Sequence, residues 1–258
     1  VYRPGKATAQ ALLEFEKSMD IENFCPVSVS VYGNDNRSII DAMQHFGPQC
    51  RAVVTLDPAS VTEEQLDEMQ EFGVRGVRLN FKSKGEKPSK QKLEAILVRV
   101  AGLVRSRGWF VQLYLGLSQV QLIADLIPTL GVRVVLDHMA SPDPSSSAAS
   151  QDGHAELMQL LRDGMVWVKI SGTYRFAELP DFESFARELI QTGPRNTVWA
   201  SDWPHTGGPV SMVEGKSYSS YRQIDTGTFV GKCFEWCDHD ERQIQNLFVN
   251  NPRALWLG

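Results

Sequence analysis

Short apolar runs rich in valine and isoleucine recur along the chain, at Val27 to Val31, Arg51 to Leu56, Gly76 to Asn80, Phe110 to Leu115, Arg133 to His138, Val166 to Ser171 and Thr197 to Asp202. Their length and β-branched content predict strands. Between them apolar residues return every three or four positions, as in Ile39, Ile40, Met43 and Phe46, or Leu93, Ile96, Leu97, Val100, Leu103 and Val104. That spacing predicts amphipathic helices. Thr62 with Gln65 and Ser118 with Gln121 have capping-box spacing, and Gly47, Gly73, Gly108, Gly131, Gly164 and Gly193 stand where helices should stop. Alternating strands and helices, with strands apolar nearly throughout, predict a parallel sheet covered on both faces. Residues 1–258 are read as one domain, and a closed barrel or an open doubly wound sheet would fit equally.

Polar residues inside such strands are informative, because an unpaired buried polar group costs on the order of 1–3 kcal/mol. A period of two sets Arg78 and Asn80 opposite Val77 and Leu79, and Gln112 and Tyr114 opposite Val111, Leu113 and Leu115. It likewise sets Lys169 and Ser171 opposite Val168 and Ile170, sets Asp202 opposite Ser201, and puts His138 on the face of Val134 and Leu136. These residues lie at or near the C-terminal ends of their strands, where parallel barrels assemble active sites. Three stretches rich in Pro, Ser, Gly and Lys, at 82–89, 141–153 and 203–221, read as long loops emerging at that same end.

Composition narrows the function classes. The chain is 42% hydrophobic and 22% charged, an ordinary globular balance. Its 26 Lys and Arg against 31 Asp and Glu give a net charge of −5 without a basic stretch, so nucleic acid is not an expected partner. Neither an apolar run of about 18 residues nor a secretory leader pattern occurs, so no membrane partner and a cytoplasmic location are expected. Cys25, Cys50, Cys233 and Cys237 are too scattered for a disulfide framework. Cys233, Cys237 and His239 form a C-x3-C-x-H cluster, but no second ligand pair follows and the cysteines read as core thiols.

Taken together, Gly76-Val77-Arg78-Leu79-Asn80-Phe81, Val135-Leu136-Asp137-His138-Met139, Ala200-Ser201-Asp202-Trp203-Pro204-His205 and Asn251-Pro252-Arg253-Ala254-Leu255-Trp256 resemble the amidohydrolase superfamily. The likeness is to its amidohydrolase-related barrels, in the branch of 2-pyrone-4,6-dicarboxylate lactonase. The resemblance implies an α/β fold, a distorted TIM-type (β/α)8 barrel. The strand that would carry the family's His-x-His motif is missing before Val27, so the natural N-terminus is expected upstream of Val1.

For the site, the resemblance implies Asp202 and His138 as catalytic residues. Asp202 would activate a water against a lactone carbonyl, with His138 and Tyr114 donating to the developing oxyanion. Arg78 and Arg175 would grip substrate carboxylates, Lys84 matches a positive loop residue, and Asn80 and His205 complete the substrate-binding set. Ser141 stands where the lactonase has an arginine, which implies a substrate with fewer carboxylates. Metal-binding members also carry a histidine at the end of the fifth strand, where this chain has Tyr114. The expectation is metal-independent hydrolysis of a small anionic cyclic ester without a cofactor, with self-association into a homo-oligomer left open. The alternatives are a non-oxidative decarboxylase using a divalent metal such as zinc, and a catalytically silent barrel that binds a ligand or protein.

Overall fold

Six of the seven apolar runs pair as parallel strands in a computed structural model that describes residues 4–207, 210–213 and 216–257, without the side chains of 84, 211–213 and 216–218. They are β1 (Ala52–Val54), β2 (Val74–Asn80), β3 (Phe110–Tyr114), β4 (Val134–Leu136), β5 (Val166–Ile170) and β6 (Thr197–Trp199), adjacent in that order. Helices cross between them. α1 (Ala9–Ser18) and α2 (Arg37–Phe46) precede β1, and α3 (Glu63–Phe72), α4 (Lys90–Val104), α5 (Leu117–Ile123), α6 (His154–Arg162) and α7 (Phe182–Thr192) each join one strand to the next. α8 (Thr226–Trp236), α9 (Glu241–Gln245) and α10 (Asn251–Leu257) end the chain.

The period of two sorts the strand residues as read from sequence. Val77, Leu79, Val111, Leu113, Val134, Leu136, Val168 and Ile170 point outward and join the helices in the main core. The inward residues Val53, Phe110, Val135 and Val198 form a second, smaller cluster with Leu255, against which Cys25, Val27, Trp167 and Trp256 pack. Val53 and Val198 come from the two edge strands. Their presence in one cluster means that the sheet curls until its edges face a common interior, which α10 plugs with Leu255 and Trp256.

Four expectations need correction. Val27 to Val31 is not a regular strand: the segment makes only isolated pairings, Phe24 with Cys50 and Val27 with Val53, and then enters a 3-10 turn at Ser30–Tyr32. Pro26 has no N–H for a ladder and joins only through its carbonyl, which accepts from Val53 N at 3.0 Å. Among the described residues the barrel is therefore a six-stranded parallel sheet with one irregular flanking segment rather than eight closed strands. The stretch 203–221 is not loop throughout, since Val210–Val213 (β7) pairs antiparallel with Lys216–Ser219 (β8). Ser118 does not start a helix: α5 begins behind Gly116, whose N–H donates to Gln119 Oε1. Thr62 and Gln65 do form their capping box, whereas Gly193 ends its helix at φ −115°, outside the left-handed region.

Cys50, Cys233 and Cys237 are buried free thiols and Cys25 is half-buried, as core cysteines should be. Among the described residues no helix is long and apolar enough to cross a membrane.

Candidate active site

Polar side chains from β2, β3 and β5 and from the turns after β4, β5 and β6 meet at the C-terminal end of the sheet. The turn after β4 is the most unusual. His138, Met139, Ala140 and Ser141 all have φ between 49° and 55°, so the chain leaves the strand direction after Asp137. This corrects the facing expected for His138. Strand alternation would send it outward with Leu136, but the left-handed turn brings its ring against the Tyr114 ring, 4.9 Å between centroids, with Nδ1 2.9 Å from Ser171 Oγ. Gly172, at φ +63°, makes the room: a Cβ there would lie 2.8 Å from His138 Nδ1 and 3.1 Å from Arg175 Nε.

Asp202 faces His138, with Oδ1 3.8 Å from His138 Nε2. Its Oδ2 accepts from Tyr174 Oη at 2.7 Å and from Arg175 Nε and Nη2 at 3.1 and 2.9 Å. Burial pushes the Asp202 carboxyl upward, but the His138 ring, the Arg175 guanidinium and the Tyr174 hydrogen bond outweigh it and hold it below the ordinary 3.8. Burial lowers His138 below its ordinary 6.5 against the pull of Asp202 and Asp137, so the ring is neutral at pH 7. Burial raises the Tyr114 hydroxyl, which stays a proton donor. Burial opposes charge on Arg175, but Asp202 more than restores it.

Beneath this pair lies a buried charge network. Asp137 Oδ2 accepts from Arg78 Nε at 3.2 Å and Gln112 Nε2 at 2.8 Å, while Lys169 Nζ lies 3.4 Å from Oδ1 and donates to Gln112 Oε1 at 2.7 Å. Arg78 Nη1 also donates to the Ser28 carbonyl at 3.2 Å, and its guanidinium lies 5.4 Å from the Tyr114 ring centre. The fork of Arg78 thus points into the protein. Burial would raise Asp137, but Lys169 and Arg78 drive it well below the carboxylate range.

The other expected residues are dispersed. Asn80 exchanges hydrogen bonds with Ser83 and shapes the turn after β2. The Lys84 side chain lies outside the described residues. Lys82 of the same turn reaches the site loops instead, donating to the Ser141 carbonyl at 2.9 Å with Nζ 5.9 Å from the Phe176 ring centre. His205 is buried beside Asp202, edge-on to Tyr174 at 6.1 Å and to Phe15 at 6.2 Å, and its Nε2 has no hydrogen-bond partner. Among the described residues, no three His, Cys, Asp or Glu side chains converge as a metal ion requires.

Sequence reasoning missed Asp137, Tyr174 and Lys82 as members of the site. Asp137 had a signal, a charge inside an apolar strand on the inward parity. Tyr174 and Lys82 lie in irregular turns, where no period assigns a direction.

Against known proteins, the amidohydrolase family model matches residues 2–257. The 2-pyrone-4,6-dicarboxylate hydrolase of Comamonas testosteroni is 28% identical over 99% of this chain and 82% of its own length. The 4-sulfomuconolactone hydrolase of Hydrogenophaga intermedia is 25% identical over 99% of this chain and 81% of its own. A Pseudomonas putida crystal structure, described as a candidate 2-pyrone-4,6-dicarboxylic acid hydrolase, superposes with a TM-score of 0.76 at 29% identity, covering 96% of this chain and 86% of that one.

Proposed function

Since the chain belongs to the amidohydrolase family, we propose that it hydrolyses the ester bond of a small lactone bearing an acid group, using Asp202 to activate water. The observation that carries the reading is the facing pair, Asp202 Oδ1 and His138 Nε2, 3.8 Å apart at the end of the sheet where parallel barrels do their chemistry. A water between them can hydrogen-bond to both.

Asp202 accepts the proton as that water attacks the lactone carbonyl; collapse of the adduct breaks the bond from the carbonyl carbon to the ring oxygen, and Asp202 returns the proton to that oxygen, so the ring opens to a hydroxy acid. Asp202 is held ionised, so it is available as a base across the neutral range. With the Ser171 hydroxyl donating to Nδ1, the neutral His138 ring carries its proton on Nε2 and can donate to the developing oxyanion, as can Tyr114. Lys82 and the outer side of Arg175 are cations suited to the substrate's acid group, and Arg78 supports the site from beneath. The relatives named as lactone hydrolases favour this substrate class. The reading uses no metal.

The test is turnover of 2-pyrone-4,6-dicarboxylate and 4-sulfomuconolactone, with and without chelator. Turnover that survives chelation, and falls at least about a hundredfold in Asp202→Asn, supports the reading. Near-normal rates in the variant refute the role of Asp202, and loss to chelator refutes metal independence.

A further inference from the structure

Asp202 uses its two oxygens unequally. Tyr174 Oη, Arg175 Nε and Arg175 Nη2 all donate to Oδ2, while Oδ1 is turned to His138. Tyr174 is itself held on several sides. Its hydroxyl oxygen accepts from Arg175 Nη2 at 3.0 Å, the Arg222 guanidinium lies 5.4 Å from its ring centre, and His205 meets it edge-on. A phenol has one proton to donate, and with Arg175 on its lone pair that proton goes to Oδ2.

We propose that Tyr174 is a positioning residue: with the Arg175 fork it occupies Oδ2 and fixes the carboxyl plane, so that Oδ1 is the oxygen that takes the proton from water. For the reaction this rests on the lactone-hydrolase reading; for the hydrogen bond it does not. Arg175 alone would supply the charge, but a guanidinium can pair with either or both oxygens. The third donor, from a ring packed against Arg222 and His205, decides which oxygen is occupied. An oxygen carrying three donors is a poor proton acceptor, so the division of labour within one carboxylate follows from geometry. Donation to the ionised form also stabilises it, in line with the lowered titration of Asp202.

The test compares the wild-type protein with Tyr174→Phe, which keeps the ring and removes the donor, and with 3-fluorotyrosine placed at position 174, a stronger donor of nearly the same shape. Asp202 is followed by 13C NMR of its side-chain carboxyl, identified by its loss in Asp202→Asn, and hydrolysis of 2-pyrone-4,6-dicarboxylate and 4-sulfomuconolactone is measured alongside. The expected result is a midpoint raised by about one pH unit in Tyr174→Phe and lowered by fluorination, with kcat down about tenfold and KM within about twofold in Tyr174→Phe. An unchanged midpoint in the fluorotyrosine protein overturns the inference even if Tyr174→Phe fails to fold. A shifted midpoint with unchanged kcat overturns the positioning role. Shifted midpoints with no lactone turnover by the wild-type protein uphold the clamp on Oδ2 and refute the lactone-hydrolase reading instead.

Discussion

Two residues in this site act through what their neighbours deny them. His138 is neutral because burial denies it the water that would solvate an imidazolium. Its active form is the deprotonated ring, which is lost only as pH falls through a value below 6.5. The expected kcat/KM profile therefore rises below pH 6.5 and is flat from there to neutrality; a midpoint at or above 6.5 in a pH–rate measurement would contradict the assignment. Gly172 shows the same dependence in steric form. A methyl group at this left-handed position would press on both His138 and Arg175. Gly172→Ala is expected to lose about 1–3 kcal/mol in urea denaturation and to turn over at least about tenfold more slowly.

At the scale of elements, α1 carries a cost. Glu16 is 5% exposed, its Oε2 lacks a hydrogen-bond partner, and burial raises its carboxyl to about 8. Between pH 4.5 and 8 the folded chain keeps a proton there that the unfolded chain has released. Unfolding then releases a proton, so stability is fullest below the ordinary carboxyl value and falls as pH rises toward 8. Glu16→Gln is expected to be more stable than wild type at pH 8, by on the order of a few kcal/mol, with the advantage vanishing near pH 4 in urea melts. Element boundaries were legible to varying depth. Thr62 and Gln65 start α3 as their spacing says, because a capping box is local chemistry. β7 and β8 went unread because their residues show no apolar run.

For the whole molecule, the buried network of Asp137, Arg78, Lys169 and Gln112 ties β2, β3 and β5 to the turn after β4 and, through the Ser28 carbonyl, to the irregular segment flanking β1. Arg78→Met leaves Asp137 with fewer partners and is expected to cost about 3 kcal/mol in denaturant unfolding. A variant as stable as wild type, but with KM raised for anionic lactones only, would instead make Arg78 a substrate residue.

The sequence by itself determined the alternation of strands and helices, the sorting of Val77, Leu79, Val111 and Leu113 from Arg78, Gln112 and Lys169, and the strand ends where polar groups gather. These follow from periodicity and burial, which the order of residues carries locally. Tertiary structure decided that Arg78 turns inward to Asp137, that His138 swings from the outer face to meet Asp202, and that Tyr174 joins them. Each depends on left-handed turns or on partners 28 to 64 positions away in the chain, and no local pattern encodes the direction in which such a side chain points.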